Sequence, residues 1–300
     1  MLKWAGGKRQ LLPQIRRFYP REFHQYIEPF FGSGAVFFDL WDAGRLRDHD
    51  AVLIDSNADL IGCYETVRDR LDDVVRALDD LASAHALDGR AHYYTVRDER
   101  FNPARERRRL PDGRILYTPE LAAMLIYLNR TGFNGLFRVN SRGAYNVPAG
   151  RYERPKISDR AKLSRVAEAL SSPRVTLKLG SFELTREVAA PGDFLYIDPP
   201  YAPMSATANF TSYTATPFAK DDQERLQQMV MVLSARGCHV LVSNSTAQEV
   251  VALYETAAAR AAGLRAIRVP ARRAMNSNPA RRGPIDELLI SNLTQQPAET

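Results

Sequence analysis

The stretch Phe194-Leu195-Tyr196-Ile197-Asp198-Pro199-Pro200-Tyr201 limits what this chain can fold into more than any other. Four consecutive apolar residues predict a buried strand, and two prolines then stop it by removing N–H donors and fixing φ. An acid and an aromatic ring are thereby set on a stiff turn at a strand's carboxyl end. In an open α/β sheet that edge borders the crevice where ligands bind. An ordinary strand end with a proline turn explains the same letters equally well, so the rest of the chain has to decide.

Other apolar runs predict strands near Tyr26 and at Ala51 to Ile54, Val175 to Leu179 and His239 to Ser243. Between them, helical spacing covers Ala58 to Ala82, Leu121 to Leu128, Asp159 to Leu170, Asp221 to Leu233 and Thr246 to Ala262. The alternation predicts an α/β fold on a parallel, twisted sheet. Leu264 to Val269 and Ile285 to Leu293 lack a helix between them and predict a terminal antiparallel hairpin. Their connection, with Arg272, Arg273, Arg281, Arg282, Asn276, Asn278 and Gly283, reads as a mobile basic loop.

With 300 residues, 45% of them hydrophobic, the chain can bury one large core and a smaller one. The formal net charge of +6, carried mostly by arginine, tilts the reading toward phosphate and guanine recognition. Cys63 and Cys238 fit no metal or redox spacing, and the five histidines are scattered, so no metal is expected and a reducing compartment is. Met1 is followed at once by Lys3 and Lys8, and no apolar run is long enough to span a bilayer. The expectation is a soluble, cytoplasmic protein.

Three further stretches carry candidate chemistry. In Lys3-Trp4-Ala5-Gly6-Gly7-Lys8, adjacent glycines allow close backbone approach. The helical spacing of Arg9 to Phe18 follows, so that free N–H groups and Lys8 could hold a carboxylate or phosphate; a plain N-terminal turn is the bland alternative. In Glu28-Pro29-Phe30-Phe31-Gly32-Ser33-Gly34, a strand enters a glycine turn, and Asp55 ends the next strand at the distance usual for an acid that accepts ribose hydroxyls. Phe37 replaces the third glycine of a dinucleotide fingerprint. An adenosine ligand without a pyrophosphate therefore suits the turn better than a nicotinamide dinucleotide, though an oxidoreductase stays open at this point. From Leu128 to Tyr152, Asn, Arg, Gly and aromatic residues mix with little apolar periodicity, as expected of a surface that pairs with base edges and stacks on bases. Arg97, Arg100, Arg105, Arg107, Arg108 and Arg109 crowd the segment before it, which reads mostly as a solvated, mobile loop.

Taken together, Lys3-Trp4-Ala5-Gly6-Gly7-Lys8, Glu28 to Val36, an inserted basic segment and Asp198-Pro199-Pro200-Tyr201 resemble the Dam-like, alpha-group DNA adenine-N6 methyltransferases over nearly the whole chain. The resemblance implies a Rossmann-like, S-adenosylmethionine-dependent methyltransferase sheet with helices on both faces and a terminal antiparallel hairpin, in residues 1–57 and 153–300. Residues 58–152 would form an inserted, mainly helical recognition domain. It implies that Trp4, Ala5, Gly6, Gly7, Lys8, Glu28, Pro29, Phe30, Gly32, Ser33, Gly34, Asp55 and Asp198 surround S-adenosylmethionine, with Ser181 and Phe182 on its adenine side and S-adenosylhomocysteine as product. Lys3 and Tyr152 would contact the first base pair of a short palindrome, and Leu136, Arg138 and Pro148 would read its distal half, with GATC the preferred target. Asn134 and Arg151 belong to the same DNA surface. Phe133 stands where a Dam enzyme has tyrosine and can still wedge into the stack.

The resemblance further implies that Asp198, Pro199, Pro200 and Tyr201 act on an adenine everted from double-stranded DNA, in a monomer that could work beside a cognate restriction enzyme. A nucleotide-dependent oxidoreductase leaves Asp198 to Tyr201 and the Asn/Arg stretch without a role. A DNA-binding protein without catalysis leaves Asp198 and Tyr201 unexplained, and an RNA methylase fits the recognition stretch less well.

Overall fold

Strand β4 (Phe194–Ile197) is buried at all four residues, because both of its faces are covered: Phe194 packs on Tyr19 and Phe23, while Leu195 and Ile197 belong to the core cluster with Leu226 and Met229, so polar and apolar side chains do not alternate. The computed structural model in which this is seen describes residues 1–4, 6–201, 218–272 and 284–295. In chain order its regular elements begin with α1 (Leu12–Ile15), β1 (Gln25–Glu28), α2 (Ala35–Asp42), β2 (Asp50–Asp55), α3 (Ala58–Asp69) and α4 (Leu71–Tyr94). They continue with α5 (Asn102–Arg107), α6 (Pro119–Thr131), α7 (Arg160–Leu170), β3 (Val175–Leu179), α8 (Thr185–Val188) and β4. The last are α9 (Lys220–Ala235), β5 (His239–Ser245), α10 (Gln248–Tyr254), α11 (Ala257–Ala261), β6 (Arg265–Arg272) and β7 (Pro284–Ser291).

The seven-stranded sheet has the order β3-β2-β1-β4-β5-β7-β6. Strand β1 runs parallel to β2 and β4, with Ile27 opposite Val52 and Leu195, and β4 runs parallel to β5, with Ile197 opposite Val242. The expected terminal hairpin is present: β7 is antiparallel to β5 and to β6. Pro270 interrupts the donors of β6, which an edge strand tolerates.

The chain divides into two units. One contains Met1–Gly7 and Asp55–Leu179; the other contains Lys8–Ile54 and, among the described residues, 180–201, 218–272 and 284–295. In the second, Ile27, Val52, Leu195, Ile197, Val240, Val242, Leu288 and Ile290 of the sheet pack with Leu226, Met229 and Leu233 of α9 in one apolar core. In the first, α4 packs on α6 and α3 packs on α7. Cys63 on α3 and Cys238 just before β5 are both buried free thiols, and burial raises both pKa values, that of Cys238 to about 11.

The structure corrects several sequence expectations. The single helix expected over Ala58 to Ala82 is two, broken at Arg70, whose backbone leaves the helical region (φ −137, ψ 40). The helix expected over Arg9 to Phe18 is a short α-turn between two 3₁₀ turns, Lys8–Gln10 and Arg16–Phe18. The helix expected at Thr246 to Ala262 is likewise split into α10 and α11. Arg100, Arg107, Arg108 and Arg109 are exposed, as a solvated segment predicts, but the first part of the arginine-rich segment is no loop: Thr95–Phe101 winds as a π-helix and continues into α5. The reason is a buried acceptor. Arg105, 6% exposed, donates through Nε and Nη2 to Asp59 at 2.6 and 2.7 Å, and the Tyr117 hydroxyl donates to the same carboxylate at 2.8 Å. The basic connection from Arg273 to Gly283 lies outside the described residues, as do the side chain of Arg272 and residue Ala5.

A buried bidentate pair costs most when one partner is removed, because the other charge is stranded. Asp59→Ala is expected to lower the unfolding free energy by about 3–5 kcal/mol, measured by urea denaturation, while Asp59→Leu with Arg105→Met recovers most of the loss.

Candidate active site and recognition surface

Both turns singled out in the sequence lie at the carboxyl ends of β1 and β4, neighbours on either side of the point where strand order reverses. That is where an open α/β sheet leaves its crevice. At the β1 end, Glu28 is buried and accepts from the Tyr26 hydroxyl at 2.7 Å, and Pro29 leads into the glycine turn. Gly32 and Gly34 both have positive φ (47° and 62°), and a Cβ on Gly34 would lie 2.4 Å from the Phe31 ring, so the turn tolerates no side chain there. Gly34 then enters α2, with Ser33 half-buried before it.

Beside that turn, Phe30 stacks on Phe182 at 5.4 Å, and Phe218 meets both rings edge-on at 5.7 and 5.8 Å. Phe218 was not singled out in the sequence. Its only signal there is its place just before the first turn of α9. Ser181, expected on the same side, caps the short turn Phe182–Leu184 by accepting from the Glu183 N–H.

At the β4 end the geometry is ionic. Lys8 Nζ lies 2.7 Å from Asp198 Oδ1 and 3.3 Å from Glu287 Oε1 on β7; the Lys8 side chain is 5% exposed and that of Asp198 20%. The longer approach is a charge contact without hydrogen-bond alignment. Burial by itself would lower the Lys8 pKa, but the two carboxylates outweigh it and raise it. Burial pushes Asp198 up, and the charge and hydrogen bond of Lys8 pull it part of the way back. Glu287 is raised by burial, with Lys8 opposing and Asp198 adding. Two carboxyl groups thus share one ammonium at a strand end that keeps some access to solvent. Lys8 Nζ also lies 4.7 Å from the centroid of the Tyr201 ring. Lys8 therefore faces two carboxyl groups of the protein itself and a ring, where the sequence offered it to a carboxylate or phosphate.

The bend itself is held from outside. Gln223 Nε2 donates to the Pro200 carbonyl at 3.1 Å, and Asn244 Nδ2 donates to Gln223 Oε1 at 3.0 Å. Neither amide, nor Glu287, was assigned a role in the sequence, where each is a lone polar residue without a local pattern.

The other unit holds a second surface. Lys3 and Tyr152 meet, with Lys3 Nζ 4.3 Å from the ring centroid. The buried Asn129 fixes Lys3 by accepting its N–H at 2.7 Å and donating to its carbonyl at 2.8 Å, while donating also to the Gly135 carbonyl. Asn134 and Gly135 both take positive φ, which an Asn-Gly pair permits, and the turn leaves Phe133 46% exposed. Pro148, whose carbonyl accepts the Phe133 N–H, is exposed, as are Asn134 and Arg151. Arg138 is oriented by Asn146, which accepts from Nε at 2.8 Å; Leu136 beside it is half-buried. Trp4 stacks on Phe137 at 5.8 Å, and Gly6 and Gly7 are exposed in the turn that follows. Asp55 accepts the Asn57 N–H, and Asn57 in turn caps α3. Asn102 pairs with both backbone groups of Tyr145, so the arginine-rich helix braces this hairpin. Among the described residues, no group of acids, histidines or cysteines could hold a metal ion, and no helix is long and apolar enough to cross a membrane.

Lys8→Met removes the charge that holds the Asp198 pKa down. The Asp198 carboxyl is therefore expected to titrate at higher pH in that variant, followed by ¹³C NMR of the carboxyl carbon. An unchanged midpoint would mean that the pair does not set its ionisation.

Residues 4–275 match the family of D12 class N6 adenine-specific DNA methyltransferases. The chain is 36% identical over 292 residues to the type II methyltransferase M1.LlaDCHI of Lactococcus lactis subsp. cremoris, covering 97% of this chain and 94% of that one. It is 37% identical over 305 residues to the type II methyltransferase M.MjaIII of Methanocaldococcus jannaschii, covering 97% and 98%. It is 36% identical over 288 residues to the DNA adenine methylase of Escherichia coli K12, covering 96% and 93%. With the switch-point site already in place, these matches establish that the chain belongs to the D12 class N6 adenine-specific DNA methyltransferases.

Proposed function

We propose that the protein transfers a methyl group from S-adenosylmethionine to N6 of an adenine rotated out of double-stranded DNA, within GATC. The observation that carries this reading is the pair of buried Lys8 and half-buried Asp198 beside Tyr201 at the sheet's switch point.

The residues at the β1 end fit the methyl donor. Phe30, Phe182 and Phe218 offer apolar faces to an adenine, the Gly32 to Gly34 turn brings backbone close, and Asp55 ends β2 with a carboxylate for ribose hydroxyls. Trp4 to Lys8, Glu28, Pro29, Ser33 and Ser181 complete the proposed set. S-adenosylmethionine supplies an electrophilic methyl on a sulfonium.

The chain's own part is to make a poor nucleophile usable. The lone pair of an adenine N6 is delocalised into the ring, and Asp198, with a carbonyl of the Pro199-Pro200 turn, accepts its hydrogens and favours a more tetrahedral nitrogen. Asp198 does so only as a carboxylate, which the Lys8 charge favours against burial. Tyr201 stacks on the base, and holding the two reactants in line supplies much of the acceleration. The N6 proton is lost after methylation, when it has become acidic, so Asp198 need not be a strong base. Inside a duplex N6 is out of reach, and eversion costs a few kcal/mol.

Target choice rests on the other unit. Lys3 with Tyr152 is proposed at the first base pair, Leu136, Arg138 and Pro148 at the distal half, and Phe133 as the wedge, with Asn134 and Arg151 on the same DNA. The orientation of Arg138 by Asn146 supports a planar contact to one base.

Plasmid from a methylase-deficient host expressing this chain is expected to resist enzymes blocked by GATC adenine methylation and to be cut by those that require it. Asp198→Ala should abolish this protection while largely keeping DNA affinity, and substantial turnover would remove Asp198 from the chemistry. Arg138→Ala is expected to relax discrimination at one base pair by about 1–3 kcal/mol in competition assays with single-substituted duplexes. Equal weakening on every sequence would make it a phosphate contact.

A further inference from the structure

We infer that Gln223 and Asn244 are positioning residues, a directional amide relay that fixes the Pro200 carbonyl and through it the Asp198-to-Tyr201 bend; this rests on the methyl transfer proposed for that bend. Pro199 and Pro200 have no N–H, so neither residue can tie the bend to its surroundings by donating a backbone hydrogen bond. The Pro200 carbonyl can still accept, and its donor is a side chain. Gln223, on the first turn of α9 and 3% exposed, donates through Nε2 to the Pro200 carbonyl at 3.1 Å.

The direction of that bond is dictated from β5. The Ser245 N–H donates to Asn244 Oδ1 at 2.8 Å, which leaves the Asn244 Nδ2 facing Gln223 Oε1 at 3.0 Å. Gln223 must then present nitrogen, not oxygen, to Pro200. Reversing either amide would set donor against donor or acceptor against acceptor. Asn244 is fully buried, and burying two amides is worth little more than burying two apolar side chains of the same shape, since each gains only what its hydrogen bonds return. What the amides supply that apolar groups cannot is orientation. They tie the end of β5 and the start of α9 to the residue between Pro199 and Tyr201, so the acid and the ring are held by three elements.

The test is single-turnover methyl transfer on a GATC duplex, with separate measurement of DNA and S-adenosylmethionine binding and of thermal melting. Gln223→Met keeps the size and removes the donor. Asn244→Asp keeps the size and makes Gln223 turn its oxygen toward Pro200. Each is expected to slow transfer ~10–100-fold, the scale of a small misplacement at a reacting centre, with both binding constants close to those of the unsubstituted protein. The double variant is expected to be no slower than the slower single one, because both break the same relay. Additive losses, losses confined to binding, or a folded Gln223→Met protein transferring at the unsubstituted rate would overturn the inference. Should one variant fail to fold, the other alone decides by the same readouts. No transfer by the unsubstituted protein would instead overturn the reading of the site, and this inference with it, and that control separates the two failures.

Discussion

A carboxyl group at the end of a buried strand is pushed toward its neutral form, and the Lys8 ammonium 2.7 Å from Asp198 is what opposes that push. Taking either ion out of water costs several kcal/mol, and a close partner is what offsets it. The contact in turn dictates local structure: Lys8 opens a 3₁₀ turn whose chain is anchored a few residues on by the buried Leu11, Ile15 and Phe18. Glu287 reaches the same ammonium from the terminal hairpin, so the antiparallel strands are part of the site's electrostatics as well as of its sheet.

Much of this was legible in the sequence, for identifiable reasons. Strand β4 is a short, unbroken apolar run closed by two prolines, and its boundaries follow directly. The strands and the terminal hairpin were readable because each is an apolar run bounded by turn residues. Asp198, Tyr201, Lys8 and the glycine turn stood out because their residue types are unusual where they occur. Glu287, Gln223 and Asn244 did not, since a single Glu, Gln or Asn carries no local pattern and acquires meaning only when strand order places it beside Asp198. The helical part of the arginine-rich segment and its buried Arg105 were missed for a related reason. Charge density predicts solvation, and nothing within the segment reveals that Asp59, in a helix 46 residues earlier, waits to pair with Arg105.

The surface around Lys3, Phe133 and Tyr152 shows how irregular backbone can be held in a defined conformation. The Leu128 to Tyr152 stretch has little repeating structure, and single asparagines do the work a ladder would do elsewhere. Asn129 ties Lys3 to Gly135, Asn146 orients Arg138, and Asn102 pairs with Tyr145. Each side-chain amide both donates and accepts, so it can bridge two backbone segments that have no common register. The exposed groups, Phe133, Pro148, Arg151 and Tyr152, thus project from a frame whose interior is paired.

The two buried thiols carry a practical consequence. Alkylating reagents attack thiolates, and both Cys63 and Cys238 are buried with raised pKa values. One thiol belongs to each unit, so pulsed labelling followed by peptide mass analysis would time the opening of each unit separately, with the protein acting as its own pair of unfolding clocks.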